Sequence, residues 1–428
     1  MKVLMFGWEF PPHISGGLGT ACYGLTKAML KADMDILFVV PRLYGDEPAG
    51  SMQLISASGV EVDPGDEVFQ SEGGKISLFE IDSTLLPYTT EEEYLDLVKQ
   101  LETVDQVSKI KWDSRTYSFS GGYGKNLMEE VKRYAIVASN IAKAHDFDII
   151  HAHDWLTYLA GIEARKISGK PLVVHMHATE FDRSGENMNP SVFAIEKTGM
   201  QAADKVVAVS HLTRDTVIKK HDIDPEKVIT VHNGVEPFEN KSLVEVKKHF
   251  PEKIVTFLGR ITYQKGPEYF IEAAYKVLQR DDNVRFVMAG SGDMLPRMIR
   301  RVAELGMGAR FHFTGFLRGP DVDRMYGMSD AYVMPSVSEP FGISPLEAMR
   351  SNVPVIISRQ SGVSEVLKHA LKVDYWDIDG MADAIYGTLN YPGLMNMFKK
   401  HGKKEVEGIK WDQAAYKLKQ IYQNMLHV

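Results

Sequence analysis

The sequence predicts an α/β protein built from two doubly wound lobes that face a central cleft. Short β-branched or apolar runs recur along the whole chain, most are separated by stretches with helical spacing, and they are too many for one ordinary sheet. The 428 residues also exceed a single core, because domains of roughly 150 residues are typical.

In chain order, buried parallel strands are expected at VLMFGW (3–8), DILFVVP (35–41), DIIHAHD (148–154), PLVVHMH (171–177), KVVAVS (205–210) and KVITVHNG (227–234). A second set follows at KIVTFLGR (253–260), VRFVMAG (284–290), RFHFTGF (310–316), AYVMPS (331–336) and PVIIS (354–358). Helical spacing fills residues 127–144, 268–280 and 295–306. The pattern breaks after VHNGVEPFEN, where Gly, Pro and Asn interrupt it and a charged helix over 242–250 leads to a fresh strand at Lys253. The hinge is therefore placed at 234–245, with lobes of 1–237 and 238–409. Residues 42–125, rich in acidic runs and glycine turns, read as an elaboration of the first lobe whose topology the pattern does not give. No repeat, low-complexity tract or membrane-spanning run is visible.

Composition narrows the function classes. With 44% hydrophobic and 25% charged residues the chain is that of a globular protein. A net charge of -8 provides no basic field for a polyanion, so nucleic acid is not an expected partner and any phosphate site must be local. The single cysteine, Cys22, cannot form an internal disulfide and lies in the first helix, where a small buried role is expected. The apolar start of MKVLMFGWEFPP is too short for a signal-peptide core, so a cytoplasmic, reducing location is the expectation. A basic amphipathic helix, the mark of a peripheral membrane enzyme, is not seen; residues 89–103 are acidic instead.

In doubly wound sheets ligands bind beyond the carboxyl ends of the strands, and the chemistry-bearing residues fall there repeatedly. After the first strand come Ser15-Gly16-Gly17-Leu18-Gly19 and a helix beginning near Thr20, a glycine turn and helix start that suit a pyrophosphate. HAHDW places His153 and Asp154 at a strand end, and HMHATEFDR adds His177, Glu180 and Asp182 to the same rim. A metal is not expected among these groups: no HExxH spacing occurs, cysteine ligands are lacking, and histidines alternating in a strand are taken to point to opposite faces. Arg260 and Lys265, held close by the loop GRITYQKG, suit the charges of a diphosphate. Glu339, in the loop of MPSVSEPFGISPLEAM, and Glu347, in the helix starting near Ser344, can face one ligand together.

Taken in order, GGLG, HAHDW, the turns at Ser210 and Asn233, GRITYQKG and EPFGISPLEAM resemble the retaining glycosyltransferases of the GT-B fold, family four and the glycogen and starch synthases. The likeness implies two Rossmann-like lobes, with the terminal helix of 410–428 crossing back onto the first. It implies that Arg260 and Lys265 bind the donor diphosphate, assisted by amides around Gly16, Gly17 and Leu18. Glu339 would hold the transferred sugar beside the amides of Phe341, Gly342 and Ile343, Glu347 the ribose, and His153 the C6 hydroxyl. Residues around Thr314-Gly315-Phe316 would meet the base. Asp154, His177, Glu180 and Asp182 remain candidates for the acceptor side, with Glu186 beside them. Transfer with retention is implied, without a metal or cofactor, from a nucleotide-sugar donor to a carbohydrate acceptor. MKVLMFGWEFPPHISGGLG and HMHATEFDRSG look like short bacterial or archaeal glycogen synthases, which extend an α-1,4-glucan from UDP-glucose or ADP-glucose. Ser15 stands where many of those enzymes carry a lysine, so a family-four transferase acting on a lipid, polysaccharide or small sugar stays open. A non-catalytic binding protein would lose Arg260, Lys265 or Glu339, and a two-lobed epimerase would lack EPFG-x-x-x-LEAM.

Overall fold

The computed structural model describes the chain except residues 14–15, 49–51, 63–115, 118, 122, 125, 237–247, 249–250 and 427–428. Ser15, the acidic stretch 89–103, most of the hinge at 234–245 and the charged segment 242–250 thus lie largely or wholly outside the described residues.

Two wholly parallel sheets form the scaffold. The first contains β1 (Lys2–Phe6), β2 (Asp35–Val40), β3 (Gln53–Ser56), β4 (Ile149–His153), β5 (Leu172–Met176), β6 (Lys205–Ala208) and β7 (Val228–Thr230) in the order β3-β2-β1-β4-β5-β6-β7. The second contains β8 (Lys253–Leu258), β9 (Val284–Ala289), β10 (Phe311–Gly315), β11 (Ala331–Met334), β12 (Val355–Ser358) and β13 (Leu371–Val373) in the order β10-β9-β8-β11-β12-β13. Each apolar run named above becomes a strand, because strands covered by helices on both faces need no polar alternation. The two strands without such a run, β3 and β13, are sheet edges and only partly buried, so little apolar signal marks them.

Helices of the first lobe are α1 (Gly17–Lys31), α2 (Leu127–Ala144), α3 (Trp155–Ser168), α4 (Glu180–Ser184), α5 (Pro190–Ala202) and α6 (His211–His221). Those of the second are α7 (Pro267–Leu278), α8 (Leu295–Glu304), α9 (Pro320–Met328), α10 (Ser344–Arg350), α11 (Val363–Val366), α12 (Ile378–Asn390) and α13 (Pro392–Val406), and α14 (Trp411–Leu426) closes the chain. Period-two alternation sends Leu4 and Phe6 of β1 into a core with α2 and α3, and Val3 and Met5 into another with α1. Trp411, Ala415, Leu418 and Tyr422 of α14 belong to that second core, so the last helix covers the first lobe, beside buried Cys22. The approach is close: a Cβ on Gly24 would lie 2.3 Å from Trp411 Nε1.

The lobes also touch directly. Glu365 of α11 accepts hydrogen bonds from the amides of His211 (2.9 Å) and Leu212 (2.7 Å) at the start of α6, and from His232 (2.8 Å). Ser338 donates to Asp182 at 2.5 Å, Thr213 to the Pro340 carbonyl at 3.3 Å, and Arg350 to the Glu236 carbonyl at 3.0 Å. Strand order reverses between β1 and β4 and again between β8 and β11, and a crevice opens at each reversal, beyond the carboxyl ends.

Candidate functional site

These two crevices form one cleft of about 930 Å³, lined by both lobes. Lobe one contributes Gly16, Gly17, Leu18, Asp154, His177 and Asn233; lobe two contributes Arg260, Lys265, Glu339, Phe341, Gly342, Ile343 and Glu347. His153, Ser210, Gly315, Glu180 and Asp182 are not among its lining residues.

The glycine turn leads straight into α1. Gly16, at the N-cap, has no side chain to offer, no acidic residue occupies the first turn, and a Cβ on Gly17 would meet nothing within 4 Å. Fifteen aligned peptides therefore direct their positive end toward the cleft with no capping side chain competing for it, an arrangement that favours an anion.

Across the cleft, β8 is followed by Gly259 and Arg260, and a 3-10 turn (Tyr263–Lys265) brings Lys265 round to the same side. The Lys265 ammonium donates to Glu339 at 2.5 Å, and Ser336 donates to the same carboxylate oxygen at 3.1 Å. Arg260 donates to Gln264 at 2.9 Å. Gly290 packs so tightly on this loop that a Cβ would fall 1.9 Å from the Gly259 carbonyl oxygen, and its φ of +147° excludes most side chains. The Glu339 loop is clamped through amides of Gly362 to the Glu339 carbonyl (2.8 Å) and Val363 to the Phe341 carbonyl (2.7 Å). Gly342 turns the chain at φ +99° to start α10, which carries Glu347. Burial raises the Glu347 carboxyl above its ordinary range, and Arg350 opposes the rise.

Asp154 caps α3 from a strained backbone (φ +62°, ψ 167°), accepting the Trp155 amide at 3.0 Å and Arg183 at 3.0 Å. Burial lifts its carboxyl to about 6 although Arg183 pulls the other way. Arg183 is a hub that also meets Glu180 at 3.6 Å and Glu196 at 3.0 Å. Glu180 accepts from Ser184 (2.8 Å) and the Asn189 amide (3.1 Å), while Asp182 completes a capping box with Thr179 and takes the Ser338 hydroxyl. Both carboxylates are buried and hydrogen-bonded within and around this loop, behind the residues that line the cleft. Glu186 is exposed and paired with Lys220. Ser210 caps α6 by accepting the Thr213 amide at 3.0 Å, and the Gly315 carbonyl accepts from Gly290 at 2.9 Å, so these two support the walls, while Phe316 beside them reaches the cleft.

The histidines correct an expectation. Residues two apart in a strand share a face, so His151 and His153 point to the same side, and parallel register sets His175 beside His153. Rings of His153 and His175 stack at 5.3 Å, and those of His175 and His177 at 4.3 Å. His153 Nδ1 pairs with His177 Nε2 at 2.9 Å and His151 Nε2 with His175 Nδ1 at 3.2 Å, while Tyr422 of α14 meets His151 Nδ1. Burial, the largest cause, drives all four below the usual imidazole range, His177 to about 3, so they are neutral near pH 7. Cys22, His153 and His177 lie close enough to hold a metal ion, as do His151, His153 and His175. His153 reaches the cleft through its partner His177, which lines it.

Residues 240–405 match the family model Glycosyl transferases group 1, and residues 123–237 match Glycosyltransferase Family 4. An uncharacterized glycosyltransferase of Methanocaldococcus jannaschii is 28% identical, over 99% of this chain and 98% of its own length. A glycogen synthase of Mycobacterium tuberculosis is 21% identical over 99% and 94% of the two chains. In structure, sucrose-phosphate synthase of Thermosynechococcus elongatus superposes with a TM-score of 0.73 at 17% identity, covering 100% of this chain and 99% of its own. No helix among the described residues is long and apolar enough to cross a membrane.

Proposed function

Because this chain is a glycosyltransferase of the GT-B fold, its lobes belonging to the family 4 and group 1 glycosyl transferases, we propose that it moves glucose with retention from UDP-glucose or ADP-glucose onto an α-1,4-glucan, as a glycogen synthase. One observation carries the donor half of this reading: Arg260, Lys265, Glu339 and Glu347 converge on the cleft that the α1 N-terminus faces from the other lobe. The full-length likeness to a glycogen synthase supports the acceptor half.

In this reading the diphosphate lies between the Arg260 and Lys265 cations and the first amides of α1. These donors are fixed before reaction, so they stabilise the charge that develops as the bond from the sugar C1 to the diphosphate breaks. Glu339 exchanges part of its bond with Lys265 for hydroxyls of the transferred sugar, and Glu347 holds the ribose. The acceptor hydroxyl enters on the face the diphosphate leaves; its oxygen bonds C1, and its proton passes to the departing phosphate oxygen. A nucleoside diphosphate and a chain one sugar longer result. No metal takes part, and closure of the lobes keeps water from the donor.

The test is release of nucleoside diphosphate from UDP-glucose and from ADP-glucose, with and without glycogen, in the presence of a chelator. Glycogen-dependent release with labelled glucose entering α-1,4 linkage supports the reading and names the donor. Release indifferent to glycogen moves the proposal to a lipid, polysaccharide or small-sugar acceptor, and loss of activity with chelator refutes the metal-free step.

A further inference from the structure

An aromatic rim runs along the carboxyl edge of the second sheet, from the turn that carries Lys265 outward to the end of β13. Tyr263 is 50% exposed and reaches across the cleft mouth, 3.5 Å from where a Cβ would sit on Gly185 of lobe one. Tyr269 follows on the next turn and meets Tyr375 edge to face at 5.0 Å, and Tyr375 meets Trp376 at 4.8 Å and 85°. Trp376 follows the end of β13 and is 57% exposed. Beside it lies a hollow of about 530 Å³ formed with Glu272, Lys276, Asp374, Asp377 and Asp379.

We propose that this rim and hollow form a second carbohydrate site that holds a neutral oligosaccharide chain while its end is in the cleft. The inference rests on the transferase reading above and names a surface that the reading does not use. Aromatic faces exposed to water have apolar area to cover, and the C–H faces of sugar rings are flat, weakly polar partners for them. Carboxylates at the edge of the stacked ring accept hydroxyl hydrogen bonds. Four acidic side chains line the hollow; Lys276 pairs with Asp379 at 2.6 Å and Arg301 with Glu272 at 2.7 Å, which leaves Asp374 and Asp377 as the carboxylates without a cation partner among the described residues. That balance repels phosphate- or sulfate-bearing polymers and leaves a neutral chain as the fitting occupant. Continuity with the cleft mouth through Tyr263 and Tyr269 favours an extended acceptor over an isolated small sugar.

Electrophoresis of the whole protein through gels containing glycogen reads the site directly. Wild type is expected to be retarded, and Trp376→Ala to lose about tenfold in affinity, with Trp376→Phe recovering part of it. In kinetics the KM for maltoheptaose should rise in Trp376→Ala by a similar factor, with kcat and the KM for the donor unchanged. Equal retardation and equal KM in wild type and Trp376→Ala would overturn the proposal. So would a wild type retarded by dextran sulfate but not by glycogen. Failure of the transferase reading looks different: no nucleoside diphosphate is released with any acceptor, whatever stands at 376.

Discussion

The pairing of Lys265 with Glu339 places the two groups with opposite tasks in contact before any substrate arrives. Removing the ammonium withdraws a fixed charge from the leaving group and leaves the Glu339 carboxylate with Ser336. Lys265→Ala is expected to lower kcat by roughly 10²–10³ with an unchanged far-ultraviolet circular dichroism spectrum, and Glu339→Gln to raise the KM for donor as well. Retention of wild-type turnover by Lys265→Ala would refute the donor site. The histidine stack makes a different claim, about pH. His151, His153, His175 and His177 are held neutral in the fold below the pH at which they take protons in the unfolded chain. The unfolded chain therefore binds more protons as pH falls below the ordinary imidazole value of about 6.5, and each such group costs about 1.4 kcal/mol per pH unit there. Asp154, raised to about 6, acts in the opposite sense, gaining a proton in the fold below that value, and the raised carboxyls of Asp182, Asp293 and Glu347 act with it, so together they offset part of the histidine loss. The melting temperature should be flat from pH 8 to 7 and fall steeply from 6.5 to 5; a flat profile to pH 5 would mean the stack is protonated or open to water.

At the scale of elements, the packing of α14 on α1 turns a usual rule around. Alanine is favoured over glycine inside a helix by about 1 kcal/mol, yet Gly24→Ala puts a methyl into the Trp411 indole. Overpacking costs about 1–3 kcal/mol, so the clash wins and the variant should melt several degrees lower, whereas Gly17→Ala, with open space, should not. Such contacts also explain what the sequence makes legible. Strands buried on both faces announce themselves as apolar runs, and the cleft-lining Arg260, Lys265, Glu339 and Glu347 are legible because they follow those runs. The Arg183 hub is not, since its partners Asp154, Glu180 and Glu196 come from separate stretches of chain. The histidine stack needs the register of β4 against β5 as well as the period of a strand, and the latch from Glu365 to the start of α6 joins residues more than 150 apart. Edge strands β3 and β13 carry too little buried surface to stand out.

For the molecule as a whole, lobe two is inserted between the body of lobe one and its last helix. Glu365 is pulled toward its neutral form by burial, but the His232 ring and two α6 amides together hold its carboxyl below the usual range. A carboxyl depressed in this way stabilises the joined lobes above its ordinary range and loses that contribution as pH falls through the lowered value. Glu365→Gln should widen the cleft, seen as a larger radius of gyration by small-angle scattering, and an unchanged radius would assign the lobe spacing to α14 and to the contacts of Ser338 with Asp182, Thr213 with Pro340 and Arg350 with Glu236. Deleting 410–428 should bare Leu18, Leu25 and Met29 of α1, producing a protein that binds a hydrophobic dye or precipitates. The same arrangement sets an order on synthesis. A ribosome making about 5–20 residues per second completes β1 early and α14 only some 20–80 seconds later. Lobe two, whose strands and helices are contiguous, is whole before lobe one can close, so a nascent chain spends most of its translation with an unroofed first sheet. Chaperone occupancy on the emerging polypeptide should last until α14 has been made, and a stop codon placed just before Trp411 should be as damaging to the first lobe as one much earlier.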